Sequence, residues 1–438
     1  MKIGNLKRGF KYLLVLSFVI LVPMACTEDN IIDDVIDDDK PEIIKPEKEP
    51  VGSVLPTIEP DVNIVKRATK ICQLTGDFDK HLKEPTLSQT ESRYRLTGTD
   101  LGVPFQDGDI TWLLFGDSWG PKPGLPDIIG YTKDKNPEEG LKIDLVTDVH
   151  GVYEGIKIPG VNTFGPFEVP TAGLVIEDEF FIWCTTDHSE FVGMGRSVVA
   201  STSRAGMYSG QFERLLYSLS TTKFINVSIV EVKSSDWDLL PQNDEDGIIM
   251  FGSGTYRSSH IYLAYQPLSG IKSKHSIRYY AGMKDGKPLW NKDEADAVPI
   301  FYLNNPGVGE LSATYNKFIK EWILLYNHGE PRGINLRTSD TPWGPWSNVQ
   351  VNFDPWDDNG YCHFMHTSHE FRVCDHVHDP GRENEWGGEY GPYQFGHFAI
   401  GNDESTTIYF TMSTWNPYDV VLMKTSLTKR VKWSGVKM

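Results

Sequence analysis

Asp100 and Asp117 stand near the two ends of one stretch, RLTGTDLGVPFQDGDITWLLFGDSW from Arg95 to Trp119, whose pattern predicts a β-hairpin with both carboxylates on one face. Asp107-Gly108 is a two-residue type I′ turn signal, and it pairs Gln106 with Asp109, Asp100 with Phe115 and Gly98 with Asp117. Asp100 and Asp117 are then diagonal neighbours with Cα atoms roughly 7 to 8 Å apart. From that separation two side chains can flank one bond. Cleavage of an acetal needs such a pair, one carboxylic acid to protonate the leaving oxygen and one carboxylate to act as nucleophile or base. The plainer alternative is that Asp100 caps a turn and Asp117 ends a strand, since Thr-Asp and Gly-Asp are ordinary loop chemistry.

The elements that must position this pair recur along the chain. An aromatic, β-rich segment ending in small polar residues returns at intervals of about 70 to 85 residues: ITWLLFGDS at Ile110, FFIWCTTDH at Phe180, GIIMFGSGT at Gly247, EWILLYNHG at Glu321 and TIYFTMSTW at Thr407. Four of the five are followed by a further strand, beginning at Arg196, His260, Gly333 and Asp419. Repeated antiparallel units of this kind hide their edges by radial arrangement, which predicts an all-β chain folded as a five-bladed β-propeller. Two stacked β-sandwiches are the alternative and leave the regular recurrence unexplained. In a propeller the innermost strand of each blade lines the axis. The expected axial positions are Asp100, Phe164 to Val169, Asn226 to Ser228, Glu310 and Tyr393 to His397.

Further residues fit a sugar site. Glu310 enters an expected inner strand, where a carboxylate can bind hydroxyls or tune an aspartate. Asp187-His188 and His328 end the strands equivalent to that of Asp117, and hydrogen-bonded structural histidines are the plainer reading. Trp119, Trp356, Trp386 and Trp415 follow strands or sit in loops, where an indole can stack on a sugar ring; packing between blades is the competing role. The segment GYCHFMHTSHEFRVCDHVHD, Gly360 to Asp379, gathers zinc-like ligands without an established spacing, so no metal and no cofactor is expected. Cys362 and Cys374 within it form a bridge or remain buried thiols. No phosphate loop, dinucleotide fingerprint or Gly-x-Ser-x-Gly elbow occurs.

The 438 residues carry a formal net charge of −18, which makes nucleic acid and anionic membrane surfaces poor partners and leaves a neutral glycan open. Lys2, Lys7, Arg8 and Lys11 precede an apolar run from Leu13 to Met24 that is too short to span a bilayer and ends in Ala25-Cys26. This reads as a lipoprotein signal over 1–26 with Cys26 lipidated, although Pro23 stands where such signals usually carry Leu. Residues 27–60 form an acidic, Pro-punctuated tether, and 61–438 the propeller. An acidic run after the lipidated Cys resembles the surface-export signal of lipoproteins in Bacteroides-like bacteria, so a monomer anchored at an outer-membrane surface is expected.

TGTDLG from Thr97, LLFGDSW from Leu113, GELSATYN from Gly309, GPWS from Gly344 and YFTMSTWNPY from Tyr409 together resemble glycoside hydrolase family 183, over about Asn63 to Lys432. That resemblance implies a five-bladed propeller that cuts internal D-arabinofuranosyl linkages of mycobacterial arabinogalactan and lipoarabinomannan. It also implies that Asp100 and Asp117 are the catalytic pair, with retention of the anomer favoured, Asp100 as nucleophile and Asp117 as acid/base. Trp119, Asp187, His188, Asn226, Glu310, His328 and Tyr393 are the expected substrate-binding residues. A glycan-binding propeller without turnover, a glycosidase of another furanoside polymer and a metal-dependent hydrolase using the His-rich segment are the rival readings.

Overall fold

The computed structural model describes residues 52–163, 165–189, 194–241, 245–367, 374 and 385–430, all within one compact unit, Pro50–Met438. The lipoprotein signal and Cys26 lie outside the described residues.

Five antiparallel sheets form five blades. From the axis outward, blade one runs Leu101–Asp107, Ile110–Phe115, Ile128–Thr132 and Asp144–Leu145. Blade two runs Pro170–Ile176, Glu179–Thr186, Arg196–Ser203 and Arg214–Ser220. Blade three has five strands, Asn226–Val232, Gly247–Ser253, Ile261–Pro267, Arg278–Lys284 and Lys287–Asn291. Blade four runs Leu311–Asn316, Glu321–Gly329, Arg332–Ser339 and Gln350–Phe353. Blade five begins with Glu389–Gln394, Ser405–Thr414 and Asp419–Lys429, and its outermost strand is Val62–Gln73 from the other end of the chain. The five innermost strands touch one another in a closed circle, blade one against both two and five. The protein is a five-bladed β-propeller. Pairing of Val62–Gln73 with Asp419–Lys429 fastens the ring, because it joins two segments more than 340 residues apart in the chain.

Each second strand is sandwiched between neighbouring blades, which is why these strands read as near-continuous apolar runs instead of alternating ones. Trp112, Trp183 and Trp322 on three of them are fully buried.

Two expectations are corrected. The first hairpin turns one residue later than its sequence suggests: Gly108 takes φ +55° as the first central residue, so Asp107 pairs with Ile110 and Gln106 with Thr111. A register shift between Leu101 and Val103 then returns one residue. Leu101 and Gly102 both adopt positive φ there, 65° and 75°. Leu101 therefore faces Phe115, and Asp100 accepts the Gly116 N–H through its carbonyl at 3.1 Å. Residues 52–60, expected to belong to the tether, lie instead against the blades: Ser53 bridges Met283 of blade three and Ile58 bridges Ser347 beside blade four. Their backbone groups find partners there that water would otherwise supply.

Candidate active site

The topology gathers three kinds of segment at one rim. Every inner strand starts there, every second strand ends there in a turn, and every connection from a blade's outer strand to the next blade arrives there. Asp100 precedes the first inner strand and Glu310 the fourth, while Asp117 and Trp119 follow the second strand of blade one. Tyr256 and Arg257 occupy the corresponding turn of blade three, and Trp415 and Tyr418 that of blade five. These residues line an axial cavity of about 670 Å³, together with Phe167, Trp386, Tyr390 and others.

The acids in it are buried. Asp100 is 7% exposed, and the Tyr390 hydroxyl donates to its Oδ2 at 3.0 Å. Removal from water, and secondarily the charge of Asp117, raises the Asp100 carboxyl well above its usual range; the Tyr418 and Tyr390 hydroxyls oppose that rise. Burial lifts Asp117 from 3.8 to about 7, against a 3.3 Å hydrogen bond from the Phe167 N–H to its Oδ2 and with a further push from Glu168. Its Oδ1 is buried with no hydrogen-bond partner among the described residues. Two carboxyls this entangled share protons, so near neutrality the pair holds at least one. Glu310 is 3% exposed; Tyr256 donates to its Oε1 at 2.7 Å, and its Oε2 has no partner among the described residues. The site therefore offers a proton donor, two tyrosine-supported carboxyls, and aromatic walls formed by Trp119, Phe167, Trp386, Trp415 and Tyr418.

The family model described as "Domain of unknown function (DUF4185)" matches residues 86–424. The chain belongs to the DUF4185 family. No curated protein matches it. Among solved structures it is similar to the exo-beta-1,3-galactanase of Phanerochaete chrysosporium, with 10% identity, 81% of this chain and 64% of that chain covered, and a TM-score of 0.42. The chain thus spans less than two thirds of the galactanase's length. It is also similar to the arabinanase of Bacillus subtilis (12% identity, 75% and 96% covered, TM-score 0.38) and to the endo-arabinanase of Bacillus licheniformis (13%, 74% and 91%, 0.35).

Of the residues expected at the site, this DUF4185 chain brings Asp100, Asp117, Trp119 and Glu310 to the cavity, and five fall elsewhere or behind it. Asp187, at φ 56°, turns outward into an ion pair with Arg196 at 2.5 Å. His188 stacks on the far side of the wall, its ring 4.9 Å from that of Phe167. Asn226 is buried and donates to the Gly309 carbonyl at 3.4 Å, which places it under the backbone that carries Glu310. His328 uses both ring nitrogens locally, Nε2 on the Asn305 carbonyl and Nδ1 accepting from the Glu330 N–H, each at 2.8 Å. Its structural role follows from that saturation.

Tyr393 and His397 are a larger correction. The inner strand of blade five starts at Glu389, earlier than expected, so Tyr390 holds the axial position and Tyr393 lies near the strand's far end. Tyr393 and His397 line the opposite mouth of the axis, a cavity of about 390 Å³ with Gln106, Glu231 and Gln394, while the buried Tyr393 phenol stays within electrostatic reach of Glu310 and Asp100. A register shift between Tyr390 and Tyr393, at the Gly391-Pro392 step, hides this start from a period-two reading. In the His-rich segment Cys362 and Cys374 are disulfide-bonded, which removes both sulfurs as metal ligands; His369, His376 and His378 lie outside the described residues. Cys72 and Cys184 are free thiols, the latter buried.

Sequence reasoning missed Tyr256, Tyr390 and Asp127. Asp127 immediately precedes Ile128–Thr132, the strand beside that of Phe115, and is fully buried with neither carboxyl oxygen partnered among the described residues. Burial, and then the charges of Asp117, Asp100 and Glu168, push it far above the usual carboxylate range. Its carboxyl lies within electrostatic reach of both members of the pair. A Pro-Asp step reads locally as turn chemistry, and only the strand order places it near Asp117.

Proposed function

We propose that this protein is an endo-acting glycoside hydrolase that cleaves D-arabinofuranosyl linkages of arabinogalactan and lipoarabinomannan D-arabinan. The observation that carries the hydrolase reading is the burial of Asp100 and Asp117 together in one aromatic-walled axial cavity. The substrate rests on the motifs around these residues, from Thr97, Leu113, Gly309, Gly344 and Tyr409.

In this reading the proton that the two carboxyls share sits on Asp117 once substrate is bound, and Asp117 gives it to the leaving glycosidic oxygen. Asp100, with Tyr390 donating to its Oδ2, attacks the anomeric carbon as that bond breaks. A glycosyl ester on Asp100 results. Asp117, now a carboxylate, takes a proton from water, whose oxygen attacks the same carbon and releases Asp100 with net retention. Glu310 and its tyrosine partner hold ring hydroxyls. Neither step calls for a cofactor.

The same reading includes a lipid anchor at Cys26, an acidic tether and display of a monomer at an outer-membrane surface. A screen of purified protein against D-arabinan, L-arabinan and xylan, with oligosaccharide products as the readout, tests the substrate. Oligosaccharides of mixed length from D-arabinan alone are expected. Tight binding to D-arabinan with no new reducing ends over a day would assign the propeller to glycan capture instead.

A further inference from the structure

Trp356 belongs to no part of the cavity, yet it stands on a built platform beside it. Its residue is 46% exposed, on the connection that leaves the outer strand of blade four for the inner strand of blade five. That connection arrives at the cavity's own rim. The Trp356 ring lies 5.9 Å from that of Trp386 at an interplanar angle of 76°, which makes an indole corner, and Trp386 also lines the cavity. Tyr361 is the floor of the corner, 4.6 Å from Trp356 and 5.2 Å from Trp386, and is 3% exposed.

The corner is held rigidly from below. Arg332 donates to the Tyr361 hydroxyl at 2.5 Å while paired with Glu389, and the Tyr361 N–H binds the Pro355 carbonyl at 2.8 Å. Asp354 Oδ1 accepts the backbone N–H groups of Trp356 and Asp357 at 2.9 and 3.0 Å. A large indole fixed this way loses little entropy when it binds a ligand. Packing alone does not call for an exposed tryptophan here.

We infer that Trp356 and Trp386 form a remote subsite for an uncharged sugar residue of the polymer, which fixes the path of the glycan outward from the cavity over the seam between blades four and five. The CH face of a sugar stacks on one indole while the other closes its side. Carboxylates of Asp354, Asp357 and Asp358 surround the platform, with Arg67 compensating only the last two, so an anionic polysaccharide is disfavoured. Continuity through Trp386 ties this subsite to the catalytic cavity, and the inference rests on the glycosidase reading.

The test compares D-arabinan polymer with a short aryl arabinofuranoside, which reaches the cavity but not the corner. Trp356→Ala should lower the ratio of kcat/KM on polymer to that on the aryl substrate about tenfold, mostly through KM, and Trp356→Phe should restore most of it. An unchanged ratio in Trp356→Ala overturns the subsite. Affinity electrophoresis in D-arabinan gives a second readout without turnover: in an Asp117→Asn background, Trp356→Ala should weaken retardation about tenfold. Equal retardation overturns the subsite even if wild type hydrolyses the polymer, whereas retardation that depends on Trp356, with no hydrolysis by wild type, overturns only the catalytic reading.

Discussion

Asp117→Asn should make the folded protein more stable, and only above about pH 4, where the unfolded carboxyl ionises. Burial raises this carboxyl from 3.8 to about 7. Below pH 4 both the folded and unfolded states hold the proton, and the group costs nothing. As pH rises from about 4 to about 7 the unfolded chain releases its proton first, so stability falls through that window and the loss is complete above it. A lift of this size corresponds to about 4 kcal/mol, an upper figure because the two aspartates titrate together. Asparagine cannot ionise, so the variant escapes the penalty. For a folded unit of this length about 4 kcal/mol is a rise in Tm of roughly 5 °C. Thermal melts of wild type and variant at pH 4, 6 and 8 should coincide at the lowest pH and separate progressively. Parallel curves, or a variant less stable at pH 8 than wild type, would refute the claim that Asp117 is held in an environment hostile to its charge.

Three further outcomes follow from the same geometry. The rate of hydrolysis, as kcat/KM, should decline as pH rises through about 7, where Asp117 loses its acid proton; a profile flat from pH 5 to 9 would remove it as the general acid. Gly116→Ala drives a Cβ into Asp100 Oδ1 and to 2.9 Å from Val169 Cγ1, so activity should drop by about 100-fold in a protein that still shows a cooperative melt. Tyr390→Phe takes one donor from Asp100 Oδ2 and should cost about 10- to 100-fold in kcat/KM, and a variant as active as wild type would show that this hydroxyl supports no charge.

How much of this was legible in the sequence depends on the range of the interaction. The second strands are buried on both faces, so ITWLLF, FFIWCTT and their counterparts announce themselves as apolar runs, and their spacing implies the blade count. Asp117 was visible because it follows such a strand, and Asp100 and Glu310 because each precedes the inner strand that pairs with one. The turn at Gly108-Asp109 was misplaced by one residue because Asp-Gly and Gly-Asp are both good turn dipeptides, and only the surrounding sheet selects between them. Tyr390 and Tyr393 exchanged places through an irregularity in a strand containing Pro392. Asp127 was invisible for a different reason: its backbone is held by Ile156 and Thr163 on the connection between blades one and two, and nothing adjacent to it signals that neither oxygen finds a donor among the described residues. His328 misled in the opposite sense, since its position matched the site while its ring nitrogens were already satisfied by its own turn and by Asn305.

The most direct measurement of the central claim is the release of reducing ends from D-arabinan by wild type, Asp100→Asn and Asp117→Asn, each checked for an intact cooperative melt. Steady release by wild type and a fall of about 1,000-fold or more in both variants are expected, with binding of the polymer retained. Release by either folded variant within tenfold of wild type would contradict that claim.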